Sequence, residues 1–308
     1  MTLTVIKRRG AQEQLNLEKI HTMCEEACEG IAGVSPSQIE VNSNLQFYDG
    51  IHTEDIQNIL VRSAADLIDL DNPNYQFVAA RLLNISLRKK LFGRNRKPPH
   101  IKDHLFKGAE KGVYDSNLFH SYNDIEWDRI NNYIDYDRDD QFTYAGLRQV
   151  CDKYLVQDRS TGEIFESPQQ MYILIAATIF SVYPLETRLK YVKDYYDAIS
   201  RHQLNLPTPI MAGVRTPIRQ FASCVLVDID DTLDSIFSSD MAIGKYVAQR
   251  AGIGLNAGRI RGINSKIRGG EVQHTGVVPF LKKFESTVRC CTQNGIRGGS
   301  ATVHFPIW

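Results

Sequence analysis

The chain has 308 residues, and its 36 Lys and Arg side chains are balanced by 36 Asp and Glu side chains. This balance excludes the strong positive charge that nucleic-acid-binding proteins and proteins of anionic membrane surfaces use. The length is sufficient for two or three domains.

The six cysteines form no C-x-x-C pair and the histidines lack paired metal-ligand spacing, so no metal site is predicted. The first residues contain no apolar core of a signal peptide. The longest apolar run, Met171–Phe180, is too short to span a bilayer and indicates a buried helix. We therefore expect a cytoplasmic protein without membrane or nucleic-acid partners, in which any bond between cysteines is transient.

Residues 3–93 have the pattern of a separate small domain. An alternating strand at Leu3–Arg8 is followed by a turn and a returning strand near Glu13–Leu15. Apolar residues at helical spacing then predict four helices, of which the third begins at Thr53 and the last ends at Gly93. We expect a β-hairpin packed against these helices.

Residues 101–203 are predicted to be helical, after a basic linker that contains proline. The expected helices span about 103–111, 124–133, 143–156, 168–182 and 184–200. The charged cluster Asp135–Asp140 is interpreted as a solvated surface and not as a metal site.

From residue 204 onwards, predicted strands alternate with predicted helices. The strands are expected at about 221–227, 252–256 and 300–307, and the helices at about 232–250 and 277–290. This alternation is typical of parallel strands joined by crossover helices. The last strand is apolar and no closing helix follows it, so we expect the segment 204–308 to be incomplete as a folding unit.

Cys224 lies near the end of the segment Pro207–Leu226, on a predicted strand that follows three prolines. The prolines are expected to keep the backbone before the strand extended and irregular. The thiol could then line the wall of a cleft, or it could be one more buried cysteine, which is the commoner case. The residues alone leave both interpretations open.

The tetrapeptide Ile-Arg-Gly-Gly occurs twice, at Ile267–Gly270 and Ile296–Gly299, each time at the end of a loop rich in Gly and Asn. Glycine lets backbone amides converge on an anion, and arginine adds a charged fork. Each copy by itself could be a surface turn. Together, on either side of the helical stretch Val277–Cys290, they favour a phosphorylated ligand.

Five segments of the chain closely resemble the large, catalytic subunit of class I ribonucleotide reductase. They are PTPIMAGVRTPIRQFASCVL, QRAGIGLNAGRIRG, IRGGE, HTGVVPF and IRGGSAT. The resemblance covers the first part of that family's chain. It implies a mixed α and α/β fold with an ATP cone at 3–93, a helical region at 101–203, and the first strands of a ten-stranded α/β barrel at 204–308.

The resemblance implies the reduction of ribonucleoside diphosphates to deoxyribonucleotides by thiol and radical chemistry. Replacing the ribose 2′-hydroxyl by hydrogen takes two electrons, which two thiols supply as they form a disulfide, and a third cysteine acts as a thiyl radical. Cys224 matches one of the two reducing cysteines, whereas its partner and the thiyl cysteine would lie beyond the matched region. A metal-containing small subunit would supply the radical, the large subunit would form a homodimer, and a second polypeptide would carry the missing half.

The resemblance also implies three nucleotide sites, none with a covalently bound ligand. The substrate site would contain Thr208, Ser223, Ala251, Gly252 and Arg297. The specificity site, which binds deoxynucleoside triphosphate (dNTP) effectors, would contain Asp231, Thr232, Leu233, Arg261, Arg268, Thr292 and Gln293. The site for ATP or dATP in the cone would contain Lys7, Glu13, Gln14, Leu15, Asn16, Leu17, Glu18, Lys19, Thr53 and Lys89.

Two other functions compete with this interpretation. A non-catalytic, nucleotide-binding regulatory module is disfavoured by the intact strand around Cys224, and an unrelated phosphate-binding α/β-barrel enzyme is disfavoured by the cone-like N-terminus. Without the resemblance, the lysines would be interpreted as solvated side chains and Asp231 as a helix cap.

Overall fold

The structure of the chain is a computed structural model. It describes residues 3–8, 10–44, 46–93, 97–292 and 298–306. Within them the chain divides into two compact units. The N-terminal unit extends to Leu206 and also includes Val214–Pro217, and the C-terminal unit contains Pro207–Gly213 and the residues from Ile218 onwards.

The N-terminal unit begins with a small sheet. Strand β1 (Thr4–Ile6) pairs antiparallel with β2 (Gln12–Gln14) and parallel with β3 (Ile51–His52). The helices of this region are α1 (Leu17–Cys28), α2 (Pro36–Asn44), α3 (Thr53–Ala65) and α4 (Tyr75–Phe92). Their apolar faces share one core with Val5 and Ile51 of the sheet. The predicted hairpin with its helices is therefore confirmed.

The rest of the N-terminal unit is helical, as predicted. Its α-helices are α5 (Ile101–Glu110), α6 (Ser116–His120), α7 (Asp124–Asn132), α8 (Tyr144–Gln149), α9 (Pro168–Phe180) and α10 (Arg188–Ser200). A 3₁₀ segment (Tyr136–Gln141) precedes α8, and a π-helical turn (Val150–Tyr154) follows it. Because every residue of α9 from Pro168 to Ala177 is buried, the apolar run there forms a core helix, as expected.

The charged cluster Asp135–Asp140 is partly buried, so its interpretation as a solvated surface was wrong. Arg138 and Asp139 both point into the protein from the 3₁₀ segment. Asp139 accepts hydrogen bonds from Gln169 Nε2 at 2.8 Å and from Arg88 Nη2 at 3.3 Å. These partners come from α4 and α9, which are distant in the sequence, and they supply the polar contacts that make burial of a carboxylate possible.

Helix α4 packs against both α8 and the 3₁₀ segment, so the region 3–93 and the helical region belong to the same compact unit. A boundary that divides 3–93 and 101–203 into separate domains stays a prediction from the sequence, since the two regions share one compact unit.

The C-terminal unit alternates strands and helices. Its elements are α11 (Thr208–Gly213), β4 (Cys224–Asp228), α12 (Leu233–Ala248), β5 (Gly252–Asn256), β6 (Ile263–Ile267), β7 (Val272–Thr275), α13 (Val278–Cys291) and β8 (Ala301–His304). Strands β4, β5 and β8 form a parallel sheet in that order, which confirms the predicted βαβ arrangement.

Two segments of this unit differ from the prediction. Residues 208–213 form a short helix although an irregular extended backbone was expected, because a proline as early in a helix as Pro209 breaks no helical hydrogen bond. The expected loop around Arg268 is an antiparallel hairpin of β6 and β7. Its tip is formed by Arg268, Gly269 and Gly270, which all have positive φ angles (51°, 69° and 100°) and so permit a tight reversal.

Alternation along β4 gives the sheet two different faces. Val225 and Val227 point toward the core that β4 and β5 share with α12 and α13. Cys224, Leu226 and Asp228 lie on the other face, which we call the exposed face, and Leu226 is 88% exposed there. Within the described residues, no helix is both long and apolar enough to cross a lipid bilayer.

We predict that Asp139→Asn removes a pH dependence from the stability of the chain. Burial, opposed by Arg88, raises the pKa of Asp139 from its ordinary 3.8 to about 6, so the native state binds this proton more tightly than the unfolded state. The resulting stabilisation is complete below about pH 4 and is lost as the pH rises through about 6. The wild type should therefore lose roughly 2–3 kcal/mol between pH 4 and pH 7 that the variant does not lose.

Urea unfolding at several pH values measures this difference. The control is Asp137→Asn, because Asp137 lies in the same 3₁₀ segment but is exposed. The control should keep the wild-type pH dependence. Parallel curves for the wild type and Asp139→Asn would contradict the prediction.

Candidate nucleotide and substrate sites

Cys224 is the first residue of β4 and pairs with Gly252, the first residue of β5. The Gly252 N–H donates a hydrogen bond to the carbonyl oxygen of Ser223 at 2.9 Å. The structure therefore brings Ser223, Cys224, Ala251 and Gly252 together at the amino ends of two neighbouring strands. Ala251 and Gly252 are buried, whereas Cys224 is exposed, so the interpretation of Cys224 as one more buried cysteine is wrong.

Thr208 lies in a groove of the C-terminal unit that we call the Thr208 groove. Its walls include Thr208, Gly213, Ile218, Ala222 and Arg250. A small cavity of about 60 Å³ in this groove adjoins a wider one of about 500 Å³, and the two share Ile218 and Arg250. Ala222 and Arg250 directly precede Ser223 and Ala251 in the sequence. Three predicted substrate residues, Thr208, Ser223 and Ala251, are thus in the groove or next to residues that line it.

Four of the predicted effector residues lie near the carboxyl end of β4, namely Asp231, Thr232, Leu233 and Arg261. Asp231 accepts hydrogen bonds from the backbone N–H of Arg261 at 3.1 Å and from Arg261 Nε at 2.5 Å. Partial burial raises the pKa of Asp231, but the bonds from Arg261 outweigh it and lower the pKa overall. Thr232 caps α12, because its Oγ1 accepts from the backbone N–H of Ser235 at 3.1 Å, and Leu233 is the first residue of that helix.

Two further effector candidates lie elsewhere in the C-terminal unit. Arg268 is exposed at the tip of the β6–β7 hairpin. Thr292 directly follows α13, and a side-chain carbon added to Gly299 would lie only 2.3 Å from its Oγ1. The two ends of the segment 292–299, which contains two further predicted residues, therefore lie close together. Gln293 and Arg297, which are predicted to contact effector and substrate, lie outside the described residues.

The predicted substrate and effector residues occupy opposite ends of the same strands. Cys224 and Gly252 begin β4 and β5, whereas Asp231 follows the last residue of β4 closely. A strand of this length extends over about 16 Å. The predicted substrate residues on these strands and Asp231 are therefore separated by about the length of one strand.

Three of the predicted cone residues form a charged group beside the hairpin. Lys7 forms an ion pair with Glu13, and Lys19 Nζ is 3.7 Å from Glu13 Oε1. The hydrogen bond from Lys7 lowers the pKa of Glu13. Asn16 caps α1, since its Oδ1 accepts from the backbone N–H of Lys19 at 3.0 Å. The other predicted residues between 13 and 19 are their neighbours in the sequence. Gln14 ends β2, Leu15 precedes Asn16, and Leu17 and Glu18 are the first residues of α1.

Thr53 is close to Lys7 because β1 and β3 run parallel. Ile6 pairs with His52 at the ends of β1 and β3, and Lys7 and Thr53 are the residues that directly follow these two strands. Thr53 also lines a pocket of about 380 Å³ together with Arg8 and His52. The positive end of the α3 dipole lies at Thr53, and a helix N-terminus of this kind favours an anion.

Lys89 lies on α4, with its Nζ 3.5 Å from Met23 Sδ of α1. It does not appear among the residues that line the Thr53 pocket. The structure therefore groups Lys7, Glu13, Lys19 and Thr53, whereas it places Lys89 beside α1.

Sequence reasoning missed several polar residues in these regions. Arg259 lies 3.1 Å from Asp228 Oδ2 and 2.6 Å from Asp230 Oδ1, next to the Asp231–Arg261 pair. Arg8 and Arg250 line pockets. Arg8 follows the predicted residue Lys7, and Arg250 and Arg259 lie within the motif QRAGIGLNAGRIRG, which is the signal that could have identified them. Among the described residues, no group of three or more His, Cys, Asp or Glu side chains is arranged to hold a metal ion.

Three family models match the chain in succession. The ATP cone domain matches residues 3–90, the all-alpha domain of ribonucleotide reductase matches 140–219, and the barrel domain of ribonucleotide reductase matches 222–308. The chain therefore belongs to the ribonucleotide reductase large-subunit family, as the motifs indicated.

Named relatives agree with this assignment. The chain is 54% identical over 306 residues to ribonucleoside-diphosphate reductase 1 subunit alpha of Escherichia coli K12, and 54% identical over 307 residues to subunit alpha of Haemophilus influenzae. It is 43% identical over 306 residues to subunit alpha of Enterobacteria phage T4. These matches cover 99–100% of this chain and 40% of each relative, so the chain spans about two fifths of the length of the relatives.

We predict that Cys224 and Cys290, which are exposed, react with iodoacetamide well before the buried cysteines. Burial raises the pKa of Cys24 to about 12, that of Cys28 to about 11 and that of Cys151 to about 12. The buried thiols should react at least roughly 100-fold more slowly at pH 8, because both their thiolate fraction and their accessibility are low.

Peptide mass spectrometry of a time course gives the rate for each cysteine. In urea the differences should disappear, which controls for local sequence effects. If Cys224 in the folded chain reacted with iodoacetamide as slowly as Cys151, the result would contradict the position of Cys224 on the exposed face of the sheet.

Proposed function

We propose that this chain is the N-terminal part of a ribonucleoside-diphosphate reductase large subunit and that it contributes one reducing thiol, Cys224. The observation that carries the proposal is the position of this thiol. Cys224 is exposed at the amino end of a parallel strand, and its neighbour Ser223 directly follows Ala222 of the Thr208 groove. A ribonucleotide in the groove would therefore bring its ribose close to a thiol.

The reaction balances with two thiols. The ribose 2′ C–O bond breaks, its oxygen leaves as water, a C–H bond forms at the same carbon, and two thiols become a disulfide. Cys224 supplies one thiol. Thr208, Ser223, Ala251, Gly252 and Arg297 would hold the ribonucleoside diphosphate, with buried backbone at Ala251 and Gly252 as a rigid wall.

The remaining chemistry requires partners. We propose that a second polypeptide supplies the second reducing cysteine and the thiyl cysteine, and that a metal-containing small subunit generates the radical. The relatives support a multi-subunit enzyme, since each is named subunit alpha. The large subunit is proposed to form a homodimer in the cytoplasm, where thiols stay reduced.

Nucleotide control would act at two places. We assign ATP or dATP binding to the group around Lys7 and Thr53, with Lys89 on α4, because lysines and a helix N-terminus complement phosphates. We assign dNTP effectors to Asp231, Thr232, Leu233, Arg261, Arg268, Thr292 and Gln293. The short distance between Thr292 and Gly299 supports the proposal that the segment 292–299, with Gln293 and Arg297, joins the effector site to the substrate site.

For the effector site, we predict that Arg268→Ala weakens binding of dTTP. A charge-assisted phosphate contact contributes about 1.5–3 kcal/mol, so the affinity should fall roughly tenfold or more. Alanine and arginine adopt the positive φ of position 268 at a similar energetic cost, so the substitution leaves the backbone strain unchanged. Calorimetric titration with dTTP and with ATP separates this site from the cone.

The control is Lys266→Ala, which removes one charge from an exposed position of the same hairpin. It should change dTTP affinity far less, and neither variant should change ATP binding at the cone. Equal dTTP affinities for wild type and Arg268→Ala would refute the assignment of Arg268.

For the catalytic role, we predict that the chain reduces CDP only in a complex with a polypeptide carrying the remaining barrel and with the radical-generating subunit. In that complex Cys224→Ser should abolish multiple turnover, because serine cannot form the disulfide. Cys290→Ser, which replaces another exposed cysteine, should keep wild-type turnover.

Co-expression, co-purification and a CDP reduction assay test this prediction. Turnover by the 308-residue chain with the radical subunit alone, or full turnover by Cys224→Ser, would overturn the proposal. Nucleotide binding by a complex that never reduces CDP would support the alternative, a non-catalytic regulatory module.

A further inference from the structure

A fully buried ion pair lies in the N-terminal unit, outside the sites described above. Glu166 and Arg215 both have 0% exposure. Arg215 Nε is 3.1 Å from Glu166 Oε1 and 2.9 Å from Oε2, and Arg215 Nη2 also donates to Glu166. The two side chains therefore form a pair with more than one hydrogen bond, which fixes the direction of the guanidinium plane.

Further hydrogen bonds hold both members of the pair. Arg215 Nη2 donates to the carbonyl oxygen of Tyr154 at 2.9 Å, and the Arg215 carbonyl oxygen accepts from the N–H of Asp115 at 3.0 Å. Glu166 Oε1 also accepts from the N–H of Val156 at 2.7 Å. Arg215 is thus fixed through its side chain and through its backbone.

A chain of neutral groups completes the network. Tyr114 Oη donates to Glu166 Oε2 at 3.0 Å, and His104 Nε2 lies 2.8 Å from Tyr114 Oη. Burial lowers the pKa of His104 to about 4, which favours the neutral imidazole. Because the Tyr114 hydroxyl donates its own proton to Glu166, it accepts a hydrogen bond from the Nε2–H tautomer of His104. A Cβ at Gly108 would lie 2.1 Å from the Tyr114 ring, so only glycine leaves room for this tyrosine.

The position of Arg215 in the chain connects this network to the groove. Val214–Pro217 clusters with the N-terminal unit, whereas the residues on both sides of it belong to the C-terminal unit. Gly213, immediately before this tetrapeptide, and Ile218, immediately after it, both line the Thr208 groove. Two peptide bonds separate Arg215 from Gly213 and three separate it from Ile218, so only a short length of backbone joins Arg215 to each of these groove-lining residues.

Stability alone does not explain a pair of this kind. Removing two charges from water is so costly that apolar residues of similar size are often equally stable or more stable. Apolar residues, however, cannot fix the orientation of the segment that carries them, because they lack the directional hydrogen bonds of a guanidinium group.

We propose that Arg215, held by Glu166, is a positioning residue for the substrate site: it fixes the segment 208–223 so that Thr208 and Ser223 stand ready for a ribonucleoside diphosphate. The substrate part of this inference rests on the proposed function. The structural part, that the pair orders 208–223, stands independently of it.

The test compares Arg215→Lys and Arg215→Gln with the same changes at Arg188. Arg188 forms a second buried pair, with Nε 2.7 Å from Glu126 Oε1, and neither residue adjoins a groove-lining residue in the sequence. Lysine keeps the charge beside Glu166 but loses the fork, so Arg215→Lys should fold even where Arg215→Gln does not. The Arg188 variants control for general loss of stability.

The first measurement is amide hydrogen exchange in the full chain. In Arg215→Lys, exchange in 208–223 should become roughly tenfold faster, whereas exchange in α12 should stay unchanged. Arg188→Lys should leave both regions unchanged. Unaltered exchange in 208–223, or an equal acceleration in 208–223 and α12, would overturn the positioning role.

The second measurement is CDP reduction in the complex described above. Arg215→Lys should raise KM for CDP roughly tenfold with a smaller effect on kcat, because misplaced binding residues weaken substrate positioning. Arg188→Lys should leave KM unchanged, and an unchanged KM in Arg215→Lys would overturn the substrate part. If the wild-type complex does not reduce CDP, the proposed function fails, and the exchange result alone decides whether Arg215 orders the segment.

Discussion

The parallel pairing of β4 with β5 is the constraint on which the C-terminal unit depends. Its register runs from Cys224 opposite Gly252 to Asp228 opposite Asn256. Parallel neighbours require a crossover connection, and α12 provides it on one face of the sheet. Because side chains alternate along a strand, the face that does not meet α12 receives Cys224. The thiol is therefore exposed as a consequence of strand geometry.

Ion pairs in the two units differ in what they can do. Glu166 and Arg215 are fully buried, and separating them would leave a charge without compensation in a medium of low polarity. Asp231 and Arg261 are 29% and 35% exposed, so water can replace either partner at modest cost. A buried ion pair can hold a backbone segment in one position. A partly exposed ion pair can instead open, so that a charged ligand replaces one of its members.

Several features could be predicted because their signals are local. The apolar spacing indicated α1, α3 and α9, and alternating strands and helices indicated a parallel sheet. The burial of Asp139 could not be predicted, since it depends on Arg88 and Gln169, which are far away in the sequence. The β6–β7 hairpin was missed because its turn uses Arg268 at positive φ, where arginine is an uncommon residue. The exposure of Cys224 depends on which face α12 covers, and this is a property of the tertiary structure.

The candidate sites also depend on tertiary structure, so the residue roles had to come from family resemblance. Lys7 and Thr53 are neighbours because β1 pairs with β3, and Cys224 and Gly252 are neighbours because β4 pairs with β5. Hydrophobic periodicity can indicate each strand, but it does not say which strands pair or in which register. A site whose residues come from two paired strands therefore cannot be detected from the sequence pattern of either strand alone. Family motifs supply the missing pairing, since they describe chains in which the register is already fixed, and the geometry then shows which of the transferred residues meet.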